Sequence, residues 1–557
     1  MKLSRVHIQN FKSIKDLEFD FPESGLLVLV GENNSGKSNI IRAIDLICGE
    51  AWIGKEKLED HDYYLRDKDN EIEIDLFFDT RHSVHFSPNN GKWGVTCYRD
   101  WGQNNKEDWG FQIKEAFPST YLGADRTLDK HLSFYDWTLI GRIRKAFHRK
   151  VQDHLKGQLD SKFGELIELF DQVPGFEDFK KDFSANYKSL LPSFKTDLQV
   201  DFQPFTPSNY FKSMQIMGID PQFSDKPLDL SELGEGARNL ILIALLKSFA
   251  KNFKNVGGVV SGILALEEPE LFLHPQARRH LFKQLRDLAS EGMQIIISTH
   301  SDSFIDTEFF DEIGRVLKVE DIENEGKLHS QLLTCSKERL KQRCIDTGVP
   351  EHKVTIESLT EYYKTTSNIR LNEGFFARCL ILVEGETEEL AFPEFLADLD
   401  IDCDSMGVSI IGVQGKNQIP KYWRLYSSFE IPIIIVIDSD DSDDSNKNIA
   451  TCFGLTEAEL SDTGEENFKV LESGVSPSVK LLVLDQDFET AFKRELDVYQ
   501  DGLYLRLESE AKDLIKPIKK QQKGAIARYI VRKALKSDVF ESSIGLKLAE
   551  LISEKVS

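Results

Sequence analysis

Short apolar runs and amphipathic stretches alternate along most of the chain. RVHIQNF and DLEFDF, near the start, alternate with period two and predict strands. LLVLV, residues 26–30, is apolar throughout and predicts a buried strand. A polar, glycine-bearing stretch, GENNSGKS, separates it from the helical pattern NIIRAIDLICG. EIEIDLFF at 71–78 alternates again, and 84–120, rich in Gly, Asn and aromatics, reads as strands and loops. From about 128 to 205 heavy charge and apolar residues at helical spacing predict a short helical insert, turning at PGFEDF. Strand and helix patterns then resume. LSELGEGARNLILIALLKSF reads as loop then helix, GILALEEPE as a strand with a polar end, QARRHLFKQLRDLASEG as a helix, and MQIIISTHS as a strand.

Residues 318–375 are mixed and charged, and predict a helical connector. A second α/β pattern follows: RCLILVEGETEELAFPEFLADL, VSIIGVQG, IPIIIVIDSD and VKLLVLDQDFETAF, then a basic helical tail. The class is α/β, with an N-terminal unit over 1–370 and a Rossmann-like unit over 375–557.

A chain of 557 residues exceeds one ordinary core, which agrees with two units. The content of 40% hydrophobic and 29% charged residues is that of a water-soluble globular protein. The start, MKLSRVHIQNFKSIKD, has no signal-like apolar core, and no apolar run reaches the ~20 residues a bilayer span needs. Seven scattered cysteines without paired spacing predict reduced thiols and a cytoplasmic setting. A net charge of −24 argues against general coating of nucleic acid, so any basic surface must be local. One candidate is Lys516 to Lys536, with eight Lys or Arg and no acid. There Lys519, Lys520, Lys523, Arg528, Arg532 and Lys533 can track a phosphate backbone, or simply solvate a helix.

The chemistry falls into two groups. GENNSGKS fits the phosphate-binding pattern G-x-x-x-x-G-K-[ST] in its required strand–loop–helix setting. Gly31, Asn33, Asn34, Ser35 and Gly36 would turn backbone N–H groups toward phosphates, Lys37 would reach the β- and γ-phosphates, and Ser38 would ligate Mg²⁺. Ser231, Gly234 and Gly236 precede a helix, where N–H groups bind anions. ILALEEPE ends a strand in two glutamates: Glu267 would hold the metal and Glu268 would polarise the attacking water. His300, at the end of the next strand, would contact the γ-phosphate.

The second group is acidic. Glu384 follows a strand and Glu388 lies four residues on, on the same face of a helix starting between them. In IVIDSDDSDDSN, Asp438 and Asp440 share one side of an extended segment at a strand's C-terminal end, where open α/β sheets bind ligands. Hard oxygens of this kind suit Mg²⁺ or Mn²⁺, and two such ions can stabilise both oxygens of a phosphodiester displacement. Asp441, Asp443 and Asp444 read as a solvated loop extension.

Residues 1–350, in the order phosphate loop, insert, LSELGEGARN, ILALEEPE and STHS, resemble the head of ABC- and SMC-type ATPases. That resemblance implies ATP bound between two heads, with Ser231, Gly234 and Gly236 acting in trans, and hence a homodimer or homotetramer assembled through the ATPase domain and its insert. Glu267 stands where transporters usually carry Asp. Residues 376–557, with Glu384, Asp438 and Asp440 in order, resemble the Toprim domain. A head followed by Toprim resembles the OLD (overcoming lysogenization defect) nucleases, whose EGxTE motif matches Glu384, Gly385, Thr387 and Glu388. Their later acidic element resembles DFE, with Asp487 and the metal ligand Glu489. Their late helical lysine is matched by Lys523, with Lys519 and Lys520 as competitors. The resemblance implies ATP-regulated, metal-dependent cleavage of DNA in anti-phage defence, with a helicase-like, reverse-transcriptase or non-coding RNA partner in some systems. The alternative is an SMC-like DNA-binding ATPase of repair or recombination with a non-cleaving Toprim module.

Overall fold

The computed structural model describes residues 1–49, 58–90, 94–101, 106–107, 117–123, 262–364, 369–439, 443–461, 463, 466–515, 523–536 and 540–556, with scattered positions from 155 to 244. The expected helical insert lies almost wholly outside the described residues, as do Ser231, Gly234, Gly236, Asp440, Lys519 and Lys520.

The alternating N-terminal runs form an antiparallel sheet. Its strands are β1 (Leu3–Phe11), β2 (Ile14–Asp20), β4 (Glu73–Phe78), β5 (Ser83–Phe86), β6 (Val95–Tyr98) and β7 (Lys106–Glu107), in the order β2-β1-β4-β5-β6-β7. The apolar runs form a second, mostly parallel sheet with β3 (Leu26–Val30) near its centre. Its order is β14-β13-β3-β12-β11-β8, where β8 is Ser119–Leu122, β11 Ile263–Glu267, β12 Gln294–Ser298, β13 Ile313–Glu320 and β14 Leu328–Thr334. β3, β11 and β12 are buried at every position, as expected of parallel strands covered on both faces. A small ribbon pairs β9 (Gly218–Asp220) with β10 (Ser224–Leu228). Helix α1 (Lys37–Cys48) buries Ile40, Ile41, Ile44 and Ile47, at the spacing of one helical face.

One expectation is corrected here. Residues 318–334 belong not to a helical connector but to the antiparallel pair β13–β14, which extends the parallel sheet. Polar residues such as Arg315, Lys318 and Gln331 on half-covered faces hide the period-two alternation. The helical part starts later, with α3 (Lys337–Asp346) and α4 (Ile356–Lys364), after α2 (Pro275–Ser290) in the ATPase-like unit.

The C-terminal sheet has the order β16-β15-β17-β19-β18, with β15 Cys379–Val383, β16 Val408–Gly412, β17 Ile433–Asp438, β18 Phe468–Glu472 and β19 Lys480–Leu484. All pairs are parallel except β18–β19. Helices α5 (Glu386–Asp398), α6 (Ile419–Ser427), α7 (Asp443–Phe453) and α8 (Phe488–Tyr499) follow the strands, and α9 (Leu503–Ile515), α10 (Lys523–Ala534) and α11 (Ser543–Val556) form the tail. Asp443 and Asp444 thus open a helix rather than extend a loop. One buried cluster runs from Leu26 and Leu264 through Leu340, Leu359 and Phe375 to Leu380, Ile435 and Leu481, so the two parallel sheets share a core. All seven cysteines are free. Among the described residues no helix is long and apolar enough to cross a membrane.

On the antiparallel sheet His7, Asp75 and His85 are direct cross-strand neighbours. His85 Nδ1 lies 2.9 Å from Asp75, and His7 Nε2 lies 2.8 Å from Asp16. The Asp75 carboxylate, 3.8 Å from His7 Nδ1, and Asp16 together raise His7 to about 9. Burial works to raise Asp75, but the nearby His7 and the bonded His85 hold it at about 2. Because the His7 value is raised, its contribution to stability is complete below the ordinary histidine value and is lost as pH climbs through about 9. We expect Asp75→Asn to lower the melting temperature by about 2–4 °C at pH 6.5 and by much less at pH 10. Thermal unfolding followed by circular dichroism across that range checks this, and a pH-independent deficit would contradict it.

Candidate functional site

The phosphate loop is built by backbone conformations few residues tolerate. Gly31 and Gly36 have φ of 141° and 114°, and Asn34 is left-handed at 62°. At Gly31 a Cβ would come within 2.1 Å of the Val316 carbonyl oxygen, so the loop lies flush against β13. Ser330 on β14 donates to the Ser35 carbonyl at 2.5 Å. The β13–β14 pair missed in the sequence therefore forms the wall of the loop. Ser35 is buried, and Ser38 sits in the first turn of α1.

Lys37 is buried and donates to the carbonyls of Gly31, at 2.9 Å, and Glu32, at 2.7 Å. Burial lowers it to about 8, against the opposing pull of Glu268, Glu270, Glu32 and Glu267. These carboxylates place the end of β11 across from the lysine. Glu267 is the last residue of β11 and is buried; Glu268 follows at φ 45° and donates its N–H to the Ser298 carbonyl. His300 faces the same space, its pKa lowered by partial burial and by Lys37. Glu270 was not singled out in the sequence. It is buried and accepts from Thr299 Oγ1 at 2.8 Å and from the His300 N–H at 2.9 Å, so it fixes the loop that carries His300. The third acid of EEPE was the available signal.

The second constellation lies at the C-terminal ends of the parallel strands. Glu384 follows β15 and Asp438 ends β17; the Asp438 N–H donates to Glu384 Oε1 at 2.8 Å. Glu388 is buried and its carboxylate accepts the Gly385 N–H at 3.1 Å, which caps α5. Burial raises the Glu388 pKa, and Glu489 and Asp487 add like-charge repulsion, so the DFE segment lies within electrostatic reach of Glu388. Asp487 is itself engaged, accepting the Thr490 N–H at 2.7 Å as the cap of α8. Lys523 opens α10 beside α5: a Cβ on Gly524 would lie 2.9 Å from the Glu386 carbonyl oxygen. On the same helix Arg528 pairs with Glu394 at 2.7 Å, so part of the basic tail serves to dock α10. Lys416, just beyond β16, was also missed. It is buried and its ammonium donates to the Asp438 carbonyl.

Glu384, Glu388, Asp438 and Glu489 offer hard carboxylate oxygens, and the repulsion between Glu388 and Glu489 is of the kind a divalent cation relieves, so the donor set suits Mg²⁺ or Mn²⁺. Among the described residues no three such side chains stand together in ligand geometry.

A phosphate loop on one parallel sheet and an acidic rim on the next define an ATPase head joined to an α/β domain with carboxylates at its strand ends. The AAA ATPase domain model matches residues 1–108 and 103–305, over half of the sequence, and the chain belongs to that family. Residues 375–440 match the model of the overcoming lysogenization defect protein-like TOPRIM domain. The chain is 26% identical to an OLD nuclease of Thermus scotoductus, covering 79% of this chain and 82% of that protein. It is 24% identical to the Old nuclease of Escherichia phage P2, with 79% and 77% covered. Endonuclease GajA of Bacillus cereus is 20% identical, with 86% and 82% covered. Among solved structures, the SMC head bound to the C-winged helix domain of ScpA covers 61% of this chain and 99% of its own, at 14% identity and a TM-score of 0.36.

Proposed function

We propose that this protein is a divalent-metal-dependent endonuclease of the OLD type, cutting DNA under the control of ATP bound at its head. The observation that carries this reading is the meeting of Glu384 and Asp438 at adjacent strand ends. The relatives named as nucleases support it over most of the chain. Glu384, Asp438 and Asp440, with Glu388 and Glu489, would hold Mg²⁺ or Mn²⁺. Such ions stabilise the attacking and leaving oxygens of an in-line displacement. Lys523 would steady the developing charge, and the basic residues of the tail would hold the backbone. At the head, Glu267 and Ser38 would hold the nucleotide's Mg²⁺, Glu268 would activate water, and Ser231, Gly234 and Gly236 of a second copy would close the site. The working domain limits are 1–370 and 375–557. We place the protein in the cytoplasm in anti-phage defence, as a homodimer or homotetramer acting with a helicase-like or reverse-transcriptase/non-coding RNA partner. The test is incubation of plasmid with the purified chain and Mg²⁺ or Mn²⁺, with and without ATP. Nicking or linearisation abolished by EDTA is expected; intact DNA under every condition would leave the SMC-like, non-cleaving alternative.

Contacts between the loop and the C-terminal sheet support the regulatory part. Glu32, within the phosphate loop, is clamped by both ends of the Arg378 guanidinium, with Nη2 at 2.8 Å. Arg378 directly precedes β15, which leads to Glu384. Below it, Arg315 of β13 donates to the carbonyls of Ala377, Phe429 and Glu430, each at 3.1 Å. To meet phosphates, Lys37 must leave the Glu32 carbonyl, so nucleotide binding is felt at the residue that grips Arg378. The Glu32–Arg378 pair is exposed, which limits its worth to about 0.2–1 kcal/mol. Arg378→Ala is therefore expected to shrink the ATP effect on cleavage by up to about fivefold rather than erase it. Cleavage titrated with ATP checks this; an unchanged ATP response would remove the pair from the coupling.

A further inference from the structure

The strand ends that carry Glu384 and Asp438 are tied to each other and to the loop after β16, which carries Lys416. The Val413 N–H donates to the Val383 carbonyl at 3.0 Å, and the Gly415 N–H to the Glu384 carbonyl at 2.7 Å, which laces the β16 loop to the end of β15. The Asp438 N–H donates to the Glu384 carboxylate at 2.8 Å, which ties β17 to the same residue. Lys416 closes the ring by donating its ammonium to the Asp438 carbonyl. The loop is shaped for this: Gln414 and Gly415 take φ of 64° and 121°, turning the chain inward just before Lys416. Lys416 is only 5% exposed. A buried ammonium is costly unless fixed dipoles and opposite charges compensate it, and here a carbonyl at an acidic strand end does so. An apolar side chain would fill the space without that cost.

We propose that Lys416 is a positioning residue of the metal centre: it fixes the backbone of Asp438, and through it the carboxylate of Glu384, so that both face one cation. The inference rests on the metal-dependent reading of this site. It differs from the role given to Lys523, which opens helix α10 rather than the loop after β16.

The test uses the full chain and four proteins: wild type, Glu384→Ala, Lys416→Met and Lys416→Gln. Mn²⁺ affinity is measured by calorimetry, plasmid cleavage with Mn²⁺, and ATP affinity at the head as a control for the fold. Lys416→Met is expected to weaken Mn²⁺ binding about 10–100-fold, the range for removing a partner that orients a ligand, with ATP affinity unchanged. A merely structural lysine would lower both affinities together. Should Lys416→Met fail to unfold cooperatively, Lys416→Gln replaces it: polar, but one bond too short to reach the carbonyl, it should show the same loss. Wild-type Mn²⁺ affinity and cleavage in both variants, while Glu384→Ala loses them, would overturn this inference alone. If the wild type itself binds no Mn²⁺, the metal reading falls and this inference with it.

Discussion

Glu384→Ala is expected to reduce metal-dependent cleavage at least about 100-fold, the largest effect of any single substitution in the acidic site. Glu384 has two jobs. Its carboxylate is a candidate ligand, and its Oε1 accepts the Asp438 N–H, so alanine removes a ligand and releases the end of β17 together. Asp438→Ala should match it closely, although it keeps the backbone bond, because it too deletes a carboxylate. Replacing Asp443 and Asp444 together by Ala should leave most cleavage in place, since both lie in the first turn of α7 beyond the strand end. Gel assays on supercoiled plasmid with Mn²⁺, paired with melting temperatures, separate loss of chemistry from loss of fold. Cleavage by Glu384→Ala at the wild-type rate would sink the nuclease reading of this site.

Lys37→Ala should weaken ATP binding on the order of 100-fold, corresponding to about 3 kcal/mol for a charge-assisted bond to phosphate. It should also uncouple cleavage from ATP. The ammonium is bonded to the Gly31 and Glu32 carbonyls, 2.9 and 2.7 Å away, so the phosphates must compete for it. That competition is the step that would carry binding to Glu32 and on to Arg378. Fluorescent ATP-analogue titration measures the first effect, and cleavage across an ATP series the second. A variant that loses ATP affinity yet still changes its cleavage at the wild-type ATP concentration would show that control does not pass through this loop.

Much of the fold was legible because its central strands are buried on both faces. LLVLV, ILALE, QIIIS, CLILV, IIIVID and KLLVL are continuous apolar runs, and each is a strand. β13, β14 and β18 were not legible, because half-covered strands carry polar residues on faces set by tertiary packing. The phosphate loop could be named from spacing, since its residues are contiguous; spacing paired Glu384 with Glu388 and Asp438 with Asp440, but only the resemblance to the Toprim domain joined the two pairs, which the fold brings together across 54 residues of sequence. Glu270 and Lys416 could not be named in either way. Each acts on backbone groups distant in sequence, Glu270 on Thr299 and His300 and Lys416 on Asp438, and no local pattern records such a partner. Glu388 is the mixed case: the spacing placed it beside Glu384, and the structure shows its carboxylate accepting the Gly385 N–H as a helix cap.

The core shared by the two parallel sheets limits how the protein can be taken apart. Leu380, Leu382, Ile433, Ile435 and Ile437 of the C-terminal sheet belong to the same buried cluster as Leu26, Val28 and Leu264 of the head. A fragment cut near residue 375 would leave a broad oily face with nothing to cover it, inviting self-association. The two halves are thus less like beads on a string than like two rooms built on one bearing wall. Grafting either onto a foreign partner would require redesigning that wall, and a shift in one room has a stiff medium through which to be felt in the other.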